Sequence, residues 1–361
     1  MPLRTNLQRK NIGRIIVALA AAIIILLLDG CYYMQAASGH FSVMNHRRPV
    51  AEVIADEESP EALINRLAIV QQARDFAVSD LLLPDNDSYR TYADLERDYV
   101  VWNVIAAEEF SFTAKTWCYP VAGCVAYRGY FSEKSARKLG DKLSAKGYDV
   151  TVGGVSAYST LGKFADPLLN TMMRWSDADL VATMFHELAH QKLYIKDDTA
   201  FNESFATAVA SFGIERWLAE IDELDALGAY QERKVLRRSM MALVQDTRER
   251  LITLYEEDID DDAKRMRKRT LLDELSVRAG LMVEKSGTGS GNWLAAPVNN
   301  ARLVSLGLYE GQFRAFDQIL QNCAADLACF YSETEKLAAM PTADRWDALE
   351  SLDSPNNATT N

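Results

Sequence analysis

The alternation of apolar and polar positions divides the chain into three regimes. Ile15 to Leu28 is an unbroken apolar run that stops at Asp29-Gly30-Cys31. After it, EALINRLAIVQQARDFAVSDLLL has apolar residues at helical spacing and predicts a helix over 61–83. The period then shortens. TYADLERDYVVWNVIAAEEF, WCYPVAGCVAYRGYF and YDVTVGGVSAYST alternate and are rich in β-branched and aromatic residues, so they read as strands, with EKSARKLGDKLSAKG as a helix inserted before the last. From Ser176 onward the pattern is nearly all helical, and Ile214 to Glu284 predicts an antiparallel helix pair. KSGTGSGN, Lys285 to Asn292, reads as a flexible loop. The expectation is an α+β protein, a small mixed β-sheet beside a predominantly helical body, forming one compact unit whose β-rich part ends near residue 175.

The apolar run changes the picture of where the chain works. Arg4, Arg9, Lys10 and Arg14 precede it, the layout of an export signal. Its 14 residues reach about 21 Å at 1.5 Å each, short of the roughly 30 Å bilayer core, so a spanning helix is the weaker reading. With Leu28, Gly30 and Cys31 the segment resembles a bacterial lipoprotein signal, which implies a lipid on Cys31; Asp29 departs from the usual small neutral residue there. The expected layout is a signal over 1–30, a tether over 31–60, a catalytic domain over 61–350 and a disordered tail over 351–361. No aspartate follows Cys31, which points to the outer membrane, facing the periplasm.

Four cysteines remain, in two pairs six residues apart, Cys118 with Cys124 and Cys323 with Cys329. Disulfides suit an oxidising compartment; free thiols or a zinc knuckle are the alternatives. A net charge of −12, with no dense basic cluster outside the N-terminus and the run Lys264 to Arg269, disfavours nucleic acid as a partner.

The candidate chemistry lies in SDADLVATMFHELAHQKLY. Ser176 with Asp179 has the S-x-x-D form of a capping box, so a helix starts there. His186 and His190 are one turn apart on one face of that helix, the spacing with which a single rigid element offers two imidazoles to a tetrahedral ion. Glu187 points about 100° round the helix and can serve as general base without ligating. A third ligand must come from Asp197, Asp198 or Glu203. KDDT reads as a turn ending in a helix cap, which engages Asp198 or Thr199 locally. Glu203 lies on the following helix, whose Ala206, Thr207, Ala210 and Gly213 form a small face for close approach, and it is the expected ligand. Asn202 is a candidate to orient a ligand, and Tyr158 and Tyr194 are candidates to stabilise an oxyanion or simply to pack. VTVGGVSAYST would be either an edge strand that pairs with an extended peptide or an ordinary paired strand.

VAYRGYF, GYDVTVGGVSAYSTLG, FADPLLNTMM, FHELAHQKLYIKDDTAFNESFATAVASFG and NNARL resemble the bacterial predicted-aminopeptidase family, lipoprotein-anchored zinc metallopeptidases of the glutamate-ligand, gluzincin-like kind. The resemblance implies a zincin-like catalytic unit, one Zn2+ per chain on His186, His190 and Glu203, Glu187 as the base acting on a metal-bound water, and a peptide substrate in the cell envelope. No G-x-M-E-N-like segment accompanies the site; GGVSA is nearest in position and carries no carboxylate. Metallopeptidase is therefore the expectation ahead of aminopeptidase. A lipid-anchored zinc-binding or envelope-assembly protein without turnover is the alternative, working through the helices of 214–284; retention of Glu187 favours the enzyme.

Overall fold

The computed structural model describes residues 32–119, 123–286, 297–307 and 313–353. The expected signal over 1–30, Cys31, most of the Lys285 to Asn292 loop and the tail beyond 353 lie outside the described residues. Among the described residues no helix is long and apolar enough to cross a membrane. The chain divides into two compact units, Met1–His46 and Arg47–Asn361. In the first, residues 32–45 are helical.

The second unit is α+β. It opens with β1 (Arg47–Pro49) and α1 (Val50–Ala55), both inside the stretch read as a tether, and continues into α2 (Glu61–Ser79). Where one small mixed sheet is expected, the strands among the described residues form three. β1, β2 (Thr91–Ala93) and β8 (Leu168–Leu169) make a mixed sheet in the order β1-β2-β8. β3 (Val101–Glu108) runs antiparallel between β6 (Arg128–Tyr130) and β7 (Tyr148–Val155). β4 (Trp117–Tyr119) and β5 (Gly123–Val125) form a separate hairpin in which Cys118 faces Cys124. Those two cysteines are disulfide-bonded, as are Cys323 and Cys329.

The β6-β3-β7 sheet is covered on both faces, as its apolar residues on both parities of β3 require. Val104 and Ala106 pack with Ala136 and Leu143 of the amphipathic α3 (Glu133–Ser144). Ile105 and Ala107 pack instead on Ala301 and Val304 of α8 (Asn300–Gly307). The long α6 (Leu224–Glu256) and α7 (Asp261–Ser286) are the expected helix pair, and Leu243, Val244, Leu251, Leu254, Leu272 and Leu275 fill their seam. Lys268 of α7, 9% exposed at its side chain, meets Asp149 of β7 at 2.7 Å, and the same carboxylate accepts the Asn300 N–H at 2.9 Å. A charge this well buried must be paired to avoid a large desolvation cost, so the contact fixes hairpin, sheet and α8 to one another.

At the centre of the helical body, α4 (Asp177–Lys192) packs on α5 (Thr199–Glu220). α9 (Phe313–Asn322), α10 (Leu327–Ala338) and α11 (Thr342–Asp353) follow. Phe316 and Phe330 meet Phe205 of α5, and the Tyr331 hydroxyl donates to the Leu81 carbonyl at 2.7 Å.

Candidate metal centre

Local signals set both helices of the site. Ser176 accepts the Asp179 N–H at 3.1 Å and donates its hydroxyl to the Asp179 carboxylate at 2.6 Å, which starts α4 where the capping pattern predicts. Asp198 accepts the Phe201 N–H at 3.2 Å and starts α5. Between them Asn202 brackets Ile195, accepting its N–H at 2.8 Å and donating to its carbonyl at 2.7 Å. The short 193–198 connection is thereby fixed, and α5 returns along α4. Gly213 makes the close approach: a Cβ there would lie 2.5 Å from Leu81 Cδ1 and 3.0 Å from Phe185 Cδ2.

His186, His190 and Glu203 converge on one point. His186 Nε2 lies 3.0 Å from His190 Nε2 and 3.2 Å from Glu203 Oε2, and His190 Nε2 lies 3.6 Å from Glu203 Oε1. Two donors each about 2.0 to 2.1 Å from a tetrahedral ion stand about 3.3 Å apart, so the two ring nitrogens and the Glu203 carboxylate are already spaced close to the edges of such a site. Two imidazole nitrogens facing each other at 3.0 Å also need a proton or a cation between their lone pairs. The donor set fits a divalent metal.

The electrostatics agree. Burial pushes the Glu203 carboxyl up, but hydrogen bonds from His186 and His190 and the charge they share bring it down to about 2. Burial disfavours charge on His186, yet the bond to Glu203 and the carboxylates of Glu187 and Glu203 outweigh it and raise that ring above its ordinary value. The Glu203 carboxylate is therefore held charged between the two rings, where it can meet a cation. His190 is 5% exposed, and its Nδ1 has no partner among the described residues.

Glu187 is half-buried on the same helix, and besides His186 its charge acts on two residues that the sequence does not single out, Asp166 and Tyr89. Asp166 is wholly buried and receives the Thr160 N–H and hydroxyl at 2.9 Å each. Burial, reinforced by the charge of Glu187, pushes its carboxyl up to about 6 against those bonds. Tyr89 is 1% exposed with φ +66°, donates its N–H to the Asp166 carbonyl at 2.7 Å, and feels both Glu187 and Asp166. The FADPLL stretch holding Asp166 carries no local mark of this role; only the fold brings 89, 166 and 187 together.

The remaining candidates separate. Tyr194 is 48% exposed with its ring 6.1 Å from that of His190; burial and then the charges of Glu203 and Asp197 raise its phenol. Tyr158 packs its ring on Phe131 at 5.8 Å, and burial lifts its hydroxyl to about 12. Asn202 spends its side-chain amide on the Ile195 backbone, and no hydrogen bond joins it to a ligand side chain among the described residues. Asp198 is taken by Arg345 at 2.7 Å. Asp197 is exposed at φ +63°, and its Oδ1 would be 2.5 Å from a Cβ on Gly123, so the β4–β5 hairpin rests on the loop between the ligands.

Comparison with curated proteins and with solved structures finds no match. A family profile described as "Putative aminopeptidase" matches residues 31–349, a span that takes in both helices of the site, both disulfides and every group named above. The chain belongs to this aminopeptidase family, and peptidase is its class of activity.

Proposed function

We propose that the protein is a zinc-dependent peptidase of the bacterial cell envelope, an aminopeptidase, held to the membrane by a lipid on Cys31. The observation that carries the reading is the convergence of His186, His190 and Glu203 within 4.8 Å, one turn and one helix apart. Zinc is the ion this donor set suits, since two neutral imidazoles and one carboxylate leave a fourth position open. When bound, it supplies Lewis acidity that brings the pKa of a water near neutrality.

The chain's own groups do the rest. Glu187, beside the ligand His186 but turned away from it, takes the proton of the attacking water on its carboxylate and passes it to the departing amine. Tyr194, next to His190 and open to solvent, is the better placed of the two tyrosines to donate to an oxyanion. Among the described residues β7 is an edge strand paired with β3 alone, and its free side would hold an extended peptide by main-chain bonds.

The test is metal content and peptide hydrolysis by the full chain and by Glu187→Gln. The expected result is one zinc per chain in both proteins, with the variant slower by about 10²- to 10⁴-fold. Zinc without hydrolysis by the unaltered protein would leave a binding role in place of the enzyme.

A further inference from the structure

Two features outside the metal ligands point to the size and charge of the substrate. The first is the free edge of β7. Ala106 accepts the Lys115 N–H on the side of β3 away from β7, so even positions of β3 point away from β7 and odd ones toward it. Residues 149, 151, 153 and 155 therefore bond β3, and 150, 152, 154 and 156 face outward. Both ends of that outward row are taken. Asn299 Nδ2 donates to the Val150 carbonyl at 2.9 Å, and the Thr171 hydroxyl donates to the Ser156 carbonyl at 2.6 Å. Among the described residues Val152 and Gly154 are left, room for about three residues of a paired strand. Beyond Ser156 the chain runs to Thr160, clipped to Asp166 beside Glu187, and Gly162 packs on Gln191 next to His190.

The second feature is Arg237. The basic residues around it on α6 are matched: Arg233 with Asp179 at 3.5 Å, Lys234 with Glu215 at 2.6 Å, Arg238 with Asp317 at 3.3 Å. Arg233 also reaches Ser176 at the start of α4, and Arg237 stands one turn further along the same face of α6. Arg237 is exposed, has no carboxylate partner among the described residues, and its charge acts on both the His186 ring and the Tyr230 phenol. A guanidinium near enough to act on a metal-ligand ring, left without a protein carboxylate among the described residues, suits a carboxylate brought by the substrate.

We infer that the site takes short peptides with a free C-terminus, and that Arg237 binds their terminal carboxylate. This rests on the peptidase reading and names its substrate class. A peptide of two to four residues pairs with Val152 and Gly154, and its far end still lies inside the site. A longer chain must pass the Asn299 or Thr171 cap.

The experiment compares zinc-loaded full-length protein on di-, tri- and tetrapeptides, each as free acid and as C-terminal amide, and on an octapeptide. The free acids should be favoured by about tenfold in kcat/KM, mostly through KM, as for loss of a charge-assisted bond. Arg237→Gln should bring acid and amide within about twofold of each other, and Arg237→Lys should keep part of the preference. Equal rates on acid and amide with the unaltered protein, a preference surviving Arg237→Gln, or an octapeptide cleaved as well as a tripeptide overturns the inference and leaves the peptidase reading standing. If no peptide is cleaved, that reading fails, and calorimetric binding of the same acid and amide tripeptides decides: tighter binding of the acid that disappears in Arg237→Gln supports the carboxylate site, and equal or absent binding overturns it.

Discussion

At the scale of single residues, the molecule concentrates ionisable groups where burial makes them expensive, and Asp166 shows the consequence most directly. Its carboxyl is raised from 3.8 to about 6, with burial as the first cause. The folded protein therefore holds that proton more tightly than the unfolded chain. The sign follows from linkage: the contribution favours folding at low pH, is lost as pH rises from about 4 through 6, and stays lost above. The neutral Asp166→Asn variant lacks this dependence. Its stability relative to the unaltered protein should improve by at most about 3 kcal/mol between pH 4 and pH 7, at about 1.4 kcal/mol per pKa unit. Urea unfolding at the two pH values measures it, and a difference that does not change with pH would show that folding does not raise the Asp166 pKa. Glu203 works the other way, since a carboxyl held down to about 2 by two histidines stays charged and ready for a cation across that range.

At the scale of elements, the site depends on how closely α4 and α5 approach, and Gly213 sets that distance. A Cβ there meets Leu81 and Phe185, both wholly buried and unable to move aside without displacing their neighbours. Gly213→Val should cost about 1–3 kcal/mol by overpacking. It should also weaken zinc retention, because Glu203 rides on the displaced helix; equilibrium unfolding and metal content after dialysis check the two effects separately. The small face that ends in Gly213 was legible in the sequence, as were the caps at Ser176 and Asp198 and the pairing of α6 with α7. Helix signals are local, and residues a few positions apart carry them. The strands were legible as strands and not as sheets: nothing in TYADLERDYVVW says that Thr91 to Ala93 pairs with β1 and β8 while Val101 onward joins β6 and β7. Pairing is a non-local choice that single stretches do not encode. The same limit hid Asp166, Tyr89 and Arg237, each of which becomes a neighbour of the metal site only when distant segments meet.

At the scale of the whole molecule, the last helix holds the first turn of the ligand helix in place. Arg345 of α11 lies 3% exposed, 147 residues from Asp198, and meets its carboxylate through two nitrogens at 2.7 and 3.0 Å. It also donates to the Met340 carbonyl at 2.9 Å. Asp198 thus caps α5 with one oxygen and anchors α11 with the other, and Glu203 stands little more than one turn further on. Removing only the cation strands a buried anion. Arg345→Ala should therefore cost about 3–5 kcal/mol. It should also loosen the start of α5, so that zinc is lost more readily to a chelator. Replacing both partners, Arg345→Met with Asp198→Asn, removes the stranded charge and keeps a side chain able to accept the Phe201 N–H. The double variant should recover most of the stability and the zinc retention, because the penalty lies in the unpaired charge and the cap survives. Thermal unfolding and chelator-driven zinc release of the two variants decide the point. If the double variant is no better than Arg345→Ala, the contribution of Arg345 lies in its packing on Phe201, 5.5 Å beneath the guanidinium, and the ion pair is incidental.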